Sequence, residues 1–315
     1  GLPEPVSWDD LGDPGYIHGI ALADTTKSSS VTKSFEMLVQ QKIQEELSLA
    51  PPEEKWDRVV SRGWKASMNL IQRIGANARY FTDSSAKIPR DVAQGNAVAG
   101  MCIDFYGRTT SETLKQPDGS SRLQYIMPAG GSSISVDPVA VLKGAPHPEL
   151  AQAFVEFVLS REGQMLWAAP PGTVPGPKYR ALRRLPIRPD LYSGDSLDAM
   201  IDGEAMPFEA AKKFSYDRKL TGHLFSPLRT IIRVMCIDPH DEMKAAWAAL
   251  IKADFPPEAT ARFHDVSAVA YGLAGGAIKA SLKTSKVEAV KLMNQLGGFF
   301  RENYKEARRL AEEGL

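Results

Sequence analysis

The sequence predicts an α/β fold of two lobes joined by a hinge, and three observations predict it. Strand-like and helix-like segments alternate through the first 130 residues, a Pro/Gly stretch follows at 128–131, and the remainder carries mostly helical periodicity. A chain of 315 residues with 43% hydrophobic residues buries a sizeable core and has the length of two domains or two large lobes.

Taken in order, residues 19–24 (GIALAD) read as a short buried strand and 31–44 as a helix. Residues 64–74 read as a second helix, with Met68, Ile71 and Ile74 apolar on one face. Residues 77–82 and 98–105 read as strands separated by a short helix at 89–94, a βαβ-type order that implies a sheet covered by helices. Residues 122–127 and 134–142 look extended. They are joined through Pro128 and the Gly130-Gly131 pair, where the backbone bends at little cost, so the hinge is expected at 132–137. Residues 148–167 come next as one amphipathic helix with Leu150, Phe154, Phe157, Val158 and Met165 along a stripe. The Pro-, Gly- and Arg-rich stretch 169–189 reads as a long surface loop. Residues 225–235, 239–252 and 287–310 are helical in pattern, the last interrupted at Gly297-Gly298.

Composition excludes several classes. Lys+Arg and Asp+Glu are equal at 38 each, so the chain has no excess positive field to draw it to nucleic acid. No apolar run approaches the roughly 20 residues of a membrane span. Cys102 and Cys236 stand far apart in apolar segments, which excludes a disulfide scaffold and any CxxC site; two buried free thiols are expected, with a single structural bridge as the alternative. The sequence opens at Gly1 with neither an initiator Met nor the basic-then-apolar pattern of a signal peptide, so a leader removed by processing or truncation is expected.

Three segments carry candidate binding groups. Asp24-Thr25-Thr26-Lys27-Ser28-Ser29-Ser30 ends a strand and opens a helix, where free backbone N–H groups and hydroxyls make an anion site; a plain N-cap by Ser28, Ser29 or Ser30 reads the same residues equally simply. Thr82-Asp83-Ser84-Ser85 is a second hydroxyl-rich loop of this type, and Ser84 is its candidate ligand residue. Asp104-Phe105-Tyr106-Gly107-Arg108 brings a carboxylate, a phenol and a guanidinium to what reads as a strand's C-terminal end, where open α/β sheets place ligands; the alternative is a core Phe105, a half-buried Tyr106 and a solvated Arg108.

Other patterns carry less. Residues 236–242 (CIDPHDE) gather metal-ligand types but fit a helix start, with Asp238 as N-cap, Pro239 at the first position, and Asp241 and Glu242 in the first turn. Ser30-x-x-Lys33 and Ser84-x-x-Lys87 match the short serine-lysine pattern of penicillin-binding enzymes without its accompanying elements. Arg180, Arg183, Arg184 and Arg188 form a basic loop that clamps an anion or is simply solvated and paired. No P-loop, GxSxG, HExxH or dinucleotide fingerprint is present.

GLPEP followed by SWDDL and DP, then GIALADTTKSS, DVAQGNAVAGMCIDFYG, DPVAVLKGAPHPELAQAFVEFVLSREGQ and ALRRLPIRP, resembles in order and spacing the type II periplasmic solute-binding proteins of ABC importers. The resemblance covers roughly residues 1–190 and leans toward the ferric-iron, phosphate-ester and phosphonate binders. It implies that Thr25, Ser28, Ser29 and Ser30 hold the ligand's anion or a synergistic anion. Ferric-binding members place two adjacent tyrosines where this chain has Phe105-Tyr106, so only Tyr106 remains, with Asp104 as one further oxygen. Ferric iron prefers oxygen ligands, and an organic or phosphorylated anion is therefore preferred over iron.

The family's topology inserts the second lobe into the first. It implies that residues 1–132 are the second lobe and 133–315 the returning part of the first, with a domain-sized piece of the first lobe, roughly 100 residues or more, outside this sequence. The expectation is a non-enzymatic, monomeric receptor without a cofactor, ferric iron being at most a transported ligand. It is expected in the periplasm or outside the cell, with a signal peptide and an optional lipid anchor in the precursor, closing on a small anionic solute and docking on a membrane permease. A sensory ligand-binding domain is the first alternative, and a Ser-x-x-Lys hydrolase the second.

Overall fold

A computed structural model describes residues 2–135 and 137–315. The first strand, β1 (Ile20–Ala23), is buried along its whole length and lies at the centre of a three-stranded parallel sheet of order β2-β1-β3, with β2 (Ala78–Thr82) and β3 (Ala99–Gly100) on either side. Ala21 pairs with Tyr80 and Ala23 with Thr82 on one flank, and Ile20 with Ala99 on the other. Covered on both faces, the strand reads as an unbroken apolar run rather than an alternation.

The crossover from β1 to β2 is made by α1 (Ser29–Leu49) and α2 (Trp56–Asn77), and that from β2 to β3 by α3 (Ile88–Ala93). Gly63 sets the approach of the two long helices, because a Cβ there would lie 2.6 Å from the Ile43 Cα. Gly100 does the same within the sheet, where a Cβ would lie 2.6 Å from the Ala21 carbonyl oxygen.

The strand expected over 98–105 stops at Gly100, and α4 (Asp104–Thr113) begins in what remains of it. Ile103 is extended, and the Asp104 carboxylate sits in the first turn, where the helix dipole favours it. Asp104, Phe105 and Tyr106 therefore occupy a helical turn instead of a strand end. Residues 122–127 and 134–142 enter no strand pair among the described residues. Val136, which falls in the second of these stretches and in the expected hinge, lies outside the described residues, as does Gly1. The Ala129 N–H donates to the Val6 carbonyl at 3.2 Å and the Trp8 indole to the Gly131 carbonyl at 2.6 Å, tying the incoming and outgoing chain together.

The single helix expected over 148–167 is two, α5 (Pro148–Leu159) and α6 (Arg161–Met165), divided at Ser160, whose Oγ accepts from the Gly163 N–H at 3.0 Å. Its apolar stripe is not covered: Leu150 is 70% and Phe154 61% exposed, while Met165 alone of the stripe enters a small core with Ala169, Leu191 and Tyr192.

The rest of the chain is mainly helical: α7 (Gly194–Asp198), α8 (Pro207–Ala211), α9 (Arg218–Thr221), α10 (Phe225–Ile232), α11 (His240–Lys252), α12 (Pro257–Phe263), α13 (Tyr271–Leu273), α14 (Lys279–Thr284) and α15 (Lys286–Glu313). Asp238 does not cap α11; its carboxylate meets the Arg233 Nε at 3.2 Å, and a π-helical turn (Arg233–Ile237) carries the chain from α10 instead. The interruption expected at Gly297-Gly298 does not occur. Phe300 and Tyr304, fully buried one turn on, anchor α15 in the core, which outweighs the roughly 1 kcal/mol each glycine costs a helix.

One hydrophobic core joins the sheet to these C-terminal helices, with Ile20, Leu22 and Trp64 in the same cluster as Trp247, Phe263 and Tyr304. Buried hydrogen bonds stitch the two together. Asn77 donates to the Leu11 and Asp13 carbonyls at 2.9 and 2.7 Å and accepts from the Trp247 indole at 2.8 Å. The Trp64 indole donates to the Val269 carbonyl at 2.9 Å, and the Gln72 amide to the Phe263 carbonyl at 3.0 Å. Cys102 and Cys236 are both free thiols, Cys236 buried and Cys102 partly so. Among the described residues no helix is long and apolar enough to cross a membrane.

Candidate functional site

Parallel strands end on the same side, so the connections after β1, β2 and β3 all leave one edge of the sheet, with the β1 loop in the middle. The Asp24 N–H donates to the Thr82 carbonyl at 2.7 Å and so joins the first two loops directly. Asp24 then shapes its own loop: its carboxylate accepts from the Thr26 N–H at 2.8 Å and the Thr26 hydroxyl at 2.6 Å, and its carbonyl from the Lys27 and Ser28 N–H groups.

The predicted residues in this loop divide into two sets. Thr25 is fully buried, and its hydroxyl donates to the Arg229 carbonyl at 2.9 Å. Ser28 is the N-cap of α1, its Oγ accepting from the Val31 N–H at 3.4 Å. Both are committed to holding the loop. Ser29 and Ser30 open the first turn of α1; neither their hydroxyls nor their N–H groups donate to any group among the described residues, and Ser29 is exposed. Exposed Lys27 precedes them and forms no ion pair among the described residues. The loop thus offers two backbone donors, two hydroxyls and one ammonium at the positive end of a 21-residue helix.

Ser84, half-buried, accepts from the Ala86 N–H at 3.3 Å and leaves its own hydroxyl proton free of any described partner. On the other flank the Phe105 and Tyr106 rings lie 4.3 Å apart by centroid, and the Arg184 guanidinium covers Phe105 at 4.9 Å. Arg108 is drawn elsewhere: its guanidinium lies 3.7 Å from the Asp202 carboxylate and 4.9 Å from the Tyr125 ring. Three of the four arginines of the basic loop are likewise spent on pairing, while Arg180 is exposed and forms no ion pair among the described residues. Arg183 grips Asp202 through two donors and reaches the Arg108 carbonyl at 3.1 Å, Arg184 meets Asp137, and Arg188 meets Asp190 at 3.0 Å.

The serine-lysine pairs do not form. Lys33 is held by Glu36 at 2.8 Å and lies over the Tyr216 ring, and Lys87 is held by Asp83 at 2.6 Å, so neither amine meets the serine three residues before it. Among the described residues no three His, Cys, Asp or Glu side chains gather as metal ligands.

The structure adds a residue that no local pattern points to. Arg229, on α10, donates through Nε to the Thr25 carbonyl at 2.9 Å and through a second nitrogen to the Thr26 carbonyl, and no carboxylate among the described residues pairs with it. The loop is therefore built by β1 and α1 and clamped by a helix that arrives 204 positions later.

Comparison with known proteins falls on this same part of the chain. Residues 2–184, which include the sheet and all three loops, match the model of the bacterial extracellular solute-binding proteins. The chain belongs to that family. The chain is 28% identical over 167 residues to the phosphoglycerate transport regulatory protein PgtC of Salmonella typhimurium, and equally to that of Salmonella typhi, covering 53% of this chain and 35% of theirs. It is 25% identical over 162 residues to an uncharacterized protein of Haemophilus influenzae, covering 51% of this chain and 39% of that one. The chain thus spans little more than a third of the length of the curated relatives it matches. No solved structure gives a significant match. Membership of the family implies a solute-binding protein of the periplasm or the extracellular space, and the α/β architecture with a parallel sheet is in keeping with it.

Proposed function

We propose that this chain is part of the solute-binding receptor of an ABC importer, and that it takes a small anion bearing a phosphoryl or carboxylate group at the C-terminal edge of the sheet. The observation that carries the reading is the opening turn of α1, where the Ser29 and Ser30 N–H groups and hydroxyls donate to no partner among the described residues and Lys27 stands beside them. Thr25, Ser28 and Arg229 fix the loop, Ser84 supplies a hydroxyl from the neighbouring loop, and Asp104 and Tyr106 bound the far side.

Iron is the less favoured cargo. Phe105 contributes no oxygen, and its ring carries the Arg184 cation, which repels a ferric ion at the place where Tyr106 and Asp104 would bind it. The name of the Salmonella relatives points to a phosphorylated three-carbon acid as the first compound to try.

In this reading residues 1–132 form the inserted lobe, the bonded pair Val6 and Ala129 marks where the chain enters and leaves it, and the returning part 133–315 packs its helices α10 to α15 back into the same core as the sheet. The uncovered stripe of α5 is the face on which the rest of the first lobe packs. A sensory domain is the second reading, favoured by the word "regulatory" in the relatives' name.

Calorimetry with 3-phosphoglycerate, inorganic phosphate and ferric citrate tests the reading. The expected result is one anion per chain, lost when Ser29→Asp or Ser30→Asp sets a carboxylate in the cradle. Stoichiometric iron abolished by Tyr106→Phe overturns it. Solute-dependent stimulation of a permease ATPase in vesicles favours import over sensing.

A further inference from the structure

A cavity of about 480 Å³ lies between the N-terminal residues, α3, β3 and the stretch 122–128, and none of the predicted anion-site residues lines it. Its volume falls within the roughly 300–1,000 Å³ of small-molecule sites. The walls are mainly apolar, with Val6, Ile88, Met101, Leu123 and Ile126 among them.

Charge on the walls cancels. Glu4 and Arg122 are the charged lining residues, one of each sign, so the cavity has no preference for an ion. Among its neutral lining side chains, the Tyr125 hydroxyl, the Gln124 amide and the Ser132 hydroxyl make no hydrogen bond among the described residues; Gln124 is exposed, and burial holds the Tyr125 phenol in its neutral form, able to donate. The Tyr125 ring is fixed from behind, by the Arg108 guanidinium at 4.9 Å and by Gly107, where any Cβ would come within 2.6 Å of the ring.

We propose that this cavity is a second binding site, for a neutral, apolar small molecule of one or two rings that carries a single hydrogen-bond acceptor for Tyr125. The cavity adjoins the candidate anion-site residues through Ser34, whose hydroxyl donates to the Ser30 carbonyl at 3.3 Å, and through Gly107 between Tyr106 and Arg108, but its lining is a separate set of side chains. Val6 and Trp8 line the cavity from the incoming chain and Ile126 and Pro128 from the outgoing one, the same two stretches that are bonded to each other through Ala129 and Gly131. An occupant therefore touches both connecting segments at once and braces them against relative movement.

The test uses Prodan, a neutral naphthalene ketone whose emission shifts to the blue in apolar surroundings and which accepts energy from tryptophan. The expected result is saturable binding of one probe per chain with tryptophan-sensitised emission. Trp8→Phe is expected to lower the sensitised emission per bound probe, since Trp8 lines the cavity. Val92→Trp and Leu123→Trp fill the space from opposite walls and should each weaken binding at least tenfold, with circular dichroism showing that the variant is folded. Tyr125→Phe should weaken it severalfold without filling anything. Excess inorganic phosphate should leave binding unchanged. Absence of saturable binding overturns the proposal, as does binding that Tyr125→Phe and both filling variants leave intact, or binding abolished by Phe154→Lys on the exposed face of α5.

Discussion

Arg229→Met removes the guanidinium that clamps the anion loop while keeping most of the side chain's apolar stem. Two hydrogen bonds are lost, from Nε to the Thr25 carbonyl at 2.9 Å and from a terminal nitrogen to the Thr26 carbonyl. They are not equivalent. The Thr25 carbonyl keeps the Thr32 hydroxyl at 2.8 Å, whereas the Thr26 carbonyl has no other partner among the described residues and turns to water. A hydrogen bond from a charged donor contributes about 1.5–3 kcal/mol when it is fully buried. Arg229 is only half-buried and one acceptor stays satisfied, so the expected loss is about 1–2 kcal/mol. Urea unfolding followed by circular dichroism measures the global part. Hydrogen exchange at Lys27 and Ser28, whose amides bond to the Asp24 carbonyl, measures the local part and should quicken by roughly tenfold for each 1.4 kcal/mol. Arg229→Lys should recover part of the loss, since an ammonium reaches one carbonyl where the guanidinium reaches two. An unchanged unfolding midpoint together with unchanged exchange at both amides would refute the clamp and leave the Asp24 turn as the sole support of the loop.

Three further outcomes rest on the packing. Asn77→Leu leaves the Trp247 indole and the Leu11 and Asp13 carbonyls without their partner in the core, and should cost on the order of 3–5 kcal/mol by urea or thermal unfolding. His264 is pushed down to about 4 by burial, with Arg73 and Lys65 adding to the effect. The unfolded chain therefore takes up a proton that the folded chain refuses, so this contribution is complete above the ordinary imidazole value of about 6.5 and is lost as pH falls from there to about 4, on the order of 3 kcal/mol in all. His264→Asn, which keeps a donor toward the Gln72 side-chain carbonyl oxygen, should flatten stability across that window. Phe154→Lys on α5 should change the stability of this chain by less than about 0.5 kcal/mol in urea unfolding, because the ring is 61% exposed.

Much of the first hundred residues was legible from short-range pattern. The buried run at β1, the apolar faces of α1 and α2, and the cap at Ser28 all arise from spacing and side-chain chemistry within a few positions, whereas the helices run beyond the expected 31–44 and 64–74, to Ser29–Leu49 and Trp56–Asn77. The strand expected over 98–105 failed for a physical reason: a short apolar run has no period of its own, and Asp104 suits a first helical turn as well as it suits a strand end. The stripe on residues 148–158 was legible as a stripe, yet periodicity states which face is apolar and not what covers it. The loop after β1 was legible as a strand-to-helix junction, but not the division of labour within it, in which Thr25 and Ser28 hold the loop while Ser29 and Ser30 donate to no group among the described residues.

By itself, the sequence determined the α/β character of the chain, the position of the hydroxyl-rich turn at the head of α1, and the exclusion of a disulfide scaffold, because each depends on composition or on neighbours within a turn or a strand. Only the tertiary structure decided that α10 to α15 share a core with the first sheet, that Arg229 clamps the loop across 204 positions, and that a neutral cavity opens where the chain enters and leaves. Such pairings are set by which apolar faces meet when the chain packs, and residues that meet only through packing leave no periodic trace in the order of the amino acids.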